Sequence, residues 1–155
     1  MLFNVMSVRI FVRDLRHDRI ELVAGTQLSN VELDLPMRDC LVGEACNTLQ
    51  TLTCDQANAQ PGYHHDVDQM TGLITHNMLC TPIMQVGREE AAGTLQLINK
   101  QDQQFFDELD ELCAEELATQ LAAPLSHLFR NNNPRIPTSA NTLSPLQKIR
   151  NLFTF

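Results

Sequence analysis

The stretch INKQDQQFFDELDE, Ile98 to Glu111, decides how the rest of the chain is read. Ile98 lies in an apolar run, AAGTLQLIN from Ala91 to Asn99, that predicts a strand. Strand side chains alternate, so Leu95 and Leu97 share one face and Thr94, Gln96 and Ile98 the other. The polar residues after Lys100 read as a short turn. From Phe106 to Phe129 the spacing of Phe106, Leu109, Cys113, Leu117, Leu121 and Leu128 predicts a helix with an apolar stripe. Asp107, Glu108, Asp110 and Glu111 crowd its first turns, where the helix dipole favours carboxylates. Pro124 should kink or weaken its last turns. One strand-to-helix junction therefore gathers Asn99, Lys100, Phe106, Asp110 and Glu111.

Upstream, SVRIFVRD (Ser7 to Asp14) and RIELVAG (Arg19 to Gly25) flank the polar turn LRHD, the signature of a hairpin. TQLSNVELDLPMRD reads as turn-rich and irregular. Leu41, Val42, Ala45, Cys46 and Leu49 recur at helical spacing and predict a short helix from Leu41. A brief strand, TLTC, leads into DQANAQPGYHHDVDQMTGLITHN, a long polar stretch of the kind that in compact domains is functional or disordered. MLCTPIMQV and AAGTLQLIN form the next two strands. Downstream, NNNPRIPTSANTLS has linker composition. Ser144 and Pro145 then open a short amphipathic basic helix carrying Leu146, Ile149, Leu152 and Phe153. The expected organisation is a domain over 1–130, a linker over 131–143 and a short helix or tail over 144–155.

A chain of 155 residues, 43% hydrophobic, suffices for one core. It has no run approaching the roughly 20 apolar residues of a membrane span and no N-terminal signal pattern, so it reads as soluble and cytoplasmic. The net charge of -8 argues against nucleic acid, because binding phosphate backbones requires a basic surface. Cys40, Cys46, Cys54, Cys80 and Cys113 lack paired metal-site spacing and read as reduced thiols. YHHDVD offers His64, His65, Asp66 and Asp68 to a cation, but adjacent residues rarely converge on one metal, and no metal site is assigned.

The strings VDQMTG (Val67 to Gly72), HNMLCTPI (His76 to Ile83) and GTLQLINK (Gly93 to Lys100), followed by Phe106, Asp110 and Glu111, make the region from Leu41 to about Leu128 resemble the GAF domains of cyclic-nucleotide phosphodiesterases and related adenylyl cyclases. The resemblance implies an α+β fold. A central antiparallel sheet would carry helices on one face and a ligand pocket under a loop lid on the other. It further implies a Lys100–Asp110 salt bridge, with Phe106 plugging the core beneath it. GAF domains normally begin with a long helix, whereas only MLFNVM precedes the first strand here. The stripe of Leu109, Cys113, Leu117 and Leu121 is therefore expected to meet a protein partner or a second copy, together with the Leu146 to Phe153 helix.

Carried over by position, the resemblance implies contacts to cAMP or cGMP from His64, Asp68, Thr71, Thr75 and Gln96, with backbone amides near Leu41 and Val42 facing the phosphate. Departures from the binding members are Ala24 where an Asp meets the purine, Cys40 in place of a flexible Gly, Val42 in place of a smaller residue, and Leu73 in place of an aromatic ring. Two functions compete on this reading. One is a regulatory sensor of a small molecule with no cofactor and no catalytic residue. The other is an interaction module with a degenerate pocket. The chain is too short to hold a phosphodiesterase catalytic domain as well, so an enzyme is not expected.

Overall fold

Branched and aromatic residues build two long strands, β1 (Val5–Asp14) and β2 (Arg19–Gly25), which pair antiparallel across the expected turn. A computed structural model describes residues 3–28, 31–61, 63–101 and 105–133. Asp14 organises the turn, accepting from the Arg16 amide at 2.9 Å and from His17 Nδ1 at 2.6 Å. Burial pushes the Asp14 carboxyl up, but the bonds from His17 and Arg16 outweigh it and hold it below its ordinary 3.8. A depressed carboxylate adds stability that is present above its unfolded pKa and lost as pH falls through the folded value. Asp14→Asn should therefore cost about 1–2 kcal/mol at pH 7. In urea titrations the gap to wild type should close as pH drops below 3.8, and a gap unchanged at pH 2 would contradict this account.

β3 (Asp34–Pro36), β4 (Leu52–Cys54), β5 (Met78–Met84) and β6 (Ala91–Lys100) complete a six-stranded antiparallel sheet, ordered β3-β2-β1-β6-β5-β4. The short β3 lies inside the segment expected to be irregular. Being central, β1 and β6 are buried on both faces.

One face is covered by α3 (Glu108–Asn132), which continues unbroken past Pro124 and beyond the boundary expected at residue 130. Phe106 precedes the helix and is buried in the core. Asp107 caps it: its carboxylate accepts from the Asp110 amide at 2.9 Å, and the Asp110 carboxylate accepts from the Asp107 amide at 2.8 Å. The buried seam is Ala114, Ala118, Leu121, Leu125, Leu128 and Phe129, packed on Ile10, Val12, Leu95 and Leu97. Leu121 is thus enclosed in the domain's own core and offers no surface to a partner. Cys113 and Leu117 are half-buried at the seam's margin, and Leu109 is 67% exposed. Leu146, Ile149, Leu152 and Phe153 lie outside the described residues.

The opposite face holds the second half of the core and the pocket. The fold is the expected one with an addition, because helices lie on this face too. α1 (Leu41–Thr48) buries Val42, Ala45 and Cys46 against Phe11 and Cys80, and the Thr94 hydroxyl donates to the Val42 carbonyl at 2.8 Å. The long polar stretch is also more ordered than expected. It contains a 3-10 turn, Ala57–Ala59, and α2 (His65–Thr71), whose left-handed C-cap is Gly72. Among the described residues no helix is long and apolar enough to cross a membrane.

Candidate functional site

Strand alternation sends Arg9, Phe11 and Gln96 away from α3, and α1, α2 and the segment between them roof the space above these side chains. The result is a cavity of about 780 Å³, within the range of small-molecule sites. Of the residues expected to bind, Leu41, Val42, His64, Asp68, Thr75 and Gln96 line this cavity. Thr71 does not: its hydroxyl turns back on α2 and donates to the Val67 carbonyl at 2.8 Å. Ala24 pairs with Ile10 and sits in the core on the α3 face, so the expected loss of a purine contact there does not arise.

At the start of α1 the protein supplies a cap of its own. Cys40 is the N-cap, and its Sγ accepts from the Gly43 amide at 3.3 Å while donating to the Pro36 carbonyl at 2.9 Å. Part of the helix N-terminus is thereby occupied by the protein's own sulfur. Burial pushes the thiols of Cys40, Cys46 and Cys80 up, Cys46 to about 11, so all three stay protonated at neutral pH.

Asp68 is held by the roof. Its Oδ1 accepts from Tyr63 Oη at 2.5 Å and Thr75 Oγ1 at 3.1 Å, and its Oδ2 from the Thr75 amide at 3.4 Å. Burial, then the bond to Asp68, push the Tyr63 hydroxyl up to about 12, which keeps it a donor. Tyr63 is one functional candidate the sequence reading missed; Arg9 is the other. Arg9 is only 2% exposed, yet its Nε and Nη2 have no hydrogen-bond partner among the described residues. Burial lowers its pKa, against the attraction of Asp68 and Tyr63, although no carboxylate among the described residues forms an ion pair with it. Its cross-strand neighbour Gln96 donates weakly to Met78 Sδ at 3.5 Å, and among the described residues neither its Oε1 nor the buried His64 Nε2 has a partner.

The strand-to-helix junction around Lys100 supports this roof from outside. Lys100 Nζ contacts the Asp110 carboxylate as expected and lies 3.8 Å from Asp107, joining the end of β6 to the start of α3. Asn99 reaches the other way. Its Oδ1 accepts from the His76 amide at 2.7 Å, and its Nδ2 donates to the Ile74 carbonyl at 2.7 Å, beside Thr75. Glu111 lies half-buried in the first turn of α3, its amide bonded to the Asp107 carbonyl at 3.1 Å.

A six-stranded antiparallel sheet with a long helix on one face and a roofed cavity on the other defines a ligand-pocket fold of the GAF type. The GAF domain family model matches residues 2–125, and the chain belongs to that family. Among solved structures it is similar to the GAF domain of a phosphoenolpyruvate-protein phosphotransferase from Coxiella burnetii, with 25% identity, 83% of this chain and 76% of that one covered, and a TM-score of 0.68. The GAF domain of an Acinetobacter phosphoenolpyruvate-protein phosphotransferase matches at 24% identity over 83% and 73% of the two chains, with a TM-score of 0.60. Free methionine-R-sulfoxide reductase from Neisseria meningitidis, solved with its substrate, matches at 20% identity over 86% and 72%, with a TM-score of 0.62.

Proposed function

We propose that this chain is a cytoplasmic regulatory domain that senses a small molecule in the cavity and passes the change to a linked or associated protein. The observation that carries this reading is the set of buried, unpaired polar atoms of Arg9, His64 and Gln96 in one cavity. Each such group lowers stability by about 1–3 kcal/mol unless something satisfies it. A pocket that had lost its ligand would be free to replace Arg9 by an aliphatic residue. The motif strings shared with cyclic-nucleotide-binding GAF domains make cAMP and cGMP the first ligands to test. On this reading the domain regulates rather than catalyses, in keeping with the protonated thiols of Cys40, Cys46 and Cys80. The likeness to the phosphotransferase GAF domain supports a module that works alongside an enzyme.

A ligand shifts such a module only by binding one conformation more tightly than another. The roof is the element placed to respond: α2 and Thr75 meet at Asp68, and a ligand engaging that network would alter the position of the roof over the sheet. A second reading, a protein-interaction module, draws support from Phe105, Leu109 and Leu112, which are exposed around the start of α3.

Calorimetry with cAMP and cGMP tests the first reading. Saturable binding at micromolar or lower ligand, lost in Asp68→Ala and retained in Thr71→Val, is the expected outcome. No heat and no thermal shift at millimolar concentrations would remove both nucleotides as ligands.

A further inference from the structure

We infer that Arg9 anchors the ligand's charged group, and that the pocket selects a small singly charged oxyanion, carboxylate or phosphate, with a hydrogen-bond donor beside the charge. This rests on reading the cavity as a ligand site.

Arg9 is unusual in position and in surroundings. It stands mid-strand in β1, flanked by the buried Val8 and Ile10, with its side chain on the cavity side. An arginine serving only structure would satisfy its fork on a carboxylate or on carbonyls. Here Nε and Nη2, two adjacent edges of the guanidinium fork, are both unpaired. That edge matches the two oxygens of a carboxylate or phosphate, which arginine binds bidentately.

The rest of the lining narrows the class. Arg9 is the only lysine or arginine among the described lining residues, whereas Asp39, Glu44, Asp55 and Asp68 are all acidic. One buried cation in an acidic enclosure accepts one negative charge and repels a polyanion. Gln96 lies directly across the strand pair from Arg9, and its unpaired Oε1 is an acceptor that needs an N–H or O–H. A ligand that offers an oxyanion to Arg9 and a donor to Gln96 satisfies both with one group. The unpaired His64 Nε2, on the roof, is then left for the distal part of the ligand.

The test uses the full 155-residue chain labelled with 15N, as wild type and as Arg9→Met, titrated with L-lactate, inorganic phosphate or inorganic triphosphate against sodium chloride at equal ionic strength. L-Lactate combines a carboxylate with a neighbouring hydroxyl, and triphosphate supplies the excluded charge. The Arg9 Nε–H resonance, assigned by its disappearance in the variant, is expected to shift saturably with lactate, phosphate or both, and not with triphosphate. Which of the two moves it identifies the head group. The same anion at about 10 mM should raise the melting temperature of wild type by about 2 °C or more and leave Arg9→Met unmoved, because only a ligand that binds the folded state stabilises it. Without anion, Arg9→Met should melt at or above wild type, having lost an unpaired buried charge.

Equal protection of both proteins, or an Arg9 resonance that neither lactate nor phosphate moves, would overturn the inference. Its failure is separable from that of the sensor reading. If cAMP binds Arg9→Met within about twofold of wild type, the sensor stands and the anchor falls. If lactate or phosphate shifts Arg9 while neither nucleotide binds, the anchor stands and the cyclic-nucleotide ligand falls.

Discussion

Gly93→Ala is expected to cost at least about 3 kcal/mol, a large share of the roughly 5–15 kcal/mol that holds a domain of this size together. Gly93 sits in β6 with β1 on one side and β5 on the other. A methyl group there would lie 1.9 Å from the Phe11 carbonyl oxygen and 2.8 Å from Leu125 Cδ2 of α3. Leu125 could turn aside, but the Phe11 carbonyl belongs to the backbone of the neighbouring central strand, at the point where the register of β1 on β2 shifts. Relief therefore requires separating two strands that carry both halves of the core. The control is Gly87→Ala, at φ 73° with nothing within 4 Å, where only left-handed backbone strain of about 1 kcal/mol applies. Urea unfolding of the two variants measures the difference, and a Gly93→Ala loss no larger than that of Gly87→Ala would refute the close-approach argument. Because Phe11 and Gln96 are cavity residues on the same two strands, a folded remnant of this variant should also have an altered pocket.

The strands and long helix were legible in the sequence because their burial is periodic. The alternation of Leu95 and Leu97 against Thr94, Gln96 and Ile98 places the two faces of β6 correctly, and the Lys100–Asp110 pair lies where the motif implied. Less legible were elements whose stability comes from their surroundings. β3 is short and rests on pairing with β2, and α2 buries only Val67, so neither carries much pattern of its own. The stripe expected on α3 holds at Phe106, Leu121 and Leu128, with Cys113 and Leu117 at its margin; it missed that Ala114 and Ala118 bring the helix close to the sheet while the larger Leu109 points outward.

Arg9 shows the limit most clearly. Within SVRIFVRD it shares a strand face with the apolar Phe11, which was the signal in the sequence that this charge is covered. A strand apolar on both faces is covered on both, so a charge in it must be enclosed. What the sequence could not supply was that no described residue partners that charge, which depends on where distant acidic residues come to lie. Asp68 is near enough to influence Arg9 but is committed to Tyr63 and Thr75.

Asn99→Ala is expected to cost about 4 kcal/mol and to loosen the roof before the rest of the domain unfolds. Asn99 is buried, sits at φ 56° near the end of β6, and uses both ends of its amide on the segment that leads from α2 into β5. Removing the side chain strands the His76 amide and the Ile74 carbonyl at about 1–3 kcal/mol each, and alanine adds left-handed strain of about 1 kcal/mol. Asn99→Gly separates these effects, since glycine tolerates the backbone angle but makes none of the side-chain bonds. It should recover only about 1 kcal/mol of the loss. A glycine variant as stable as wild type would mean that asparagine is there for its backbone alone. The local consequence is measured by hydrogen exchange: the His76 amide should lose protection in both variants, while amides in the middle of β1 and β6 keep theirs up to the reduced global stability. Thr75 lies inside the released segment and bonds Asp68, so the change should reach the cavity as weaker binding of whatever ligand wild type holds. Loss of His76 protection with ligand affinity unchanged would mean that the roof does not depend on this clamp. Weakened binding in parallel would place Asn99 as the positioning residue that couples the strand-to-helix junction to the pocket.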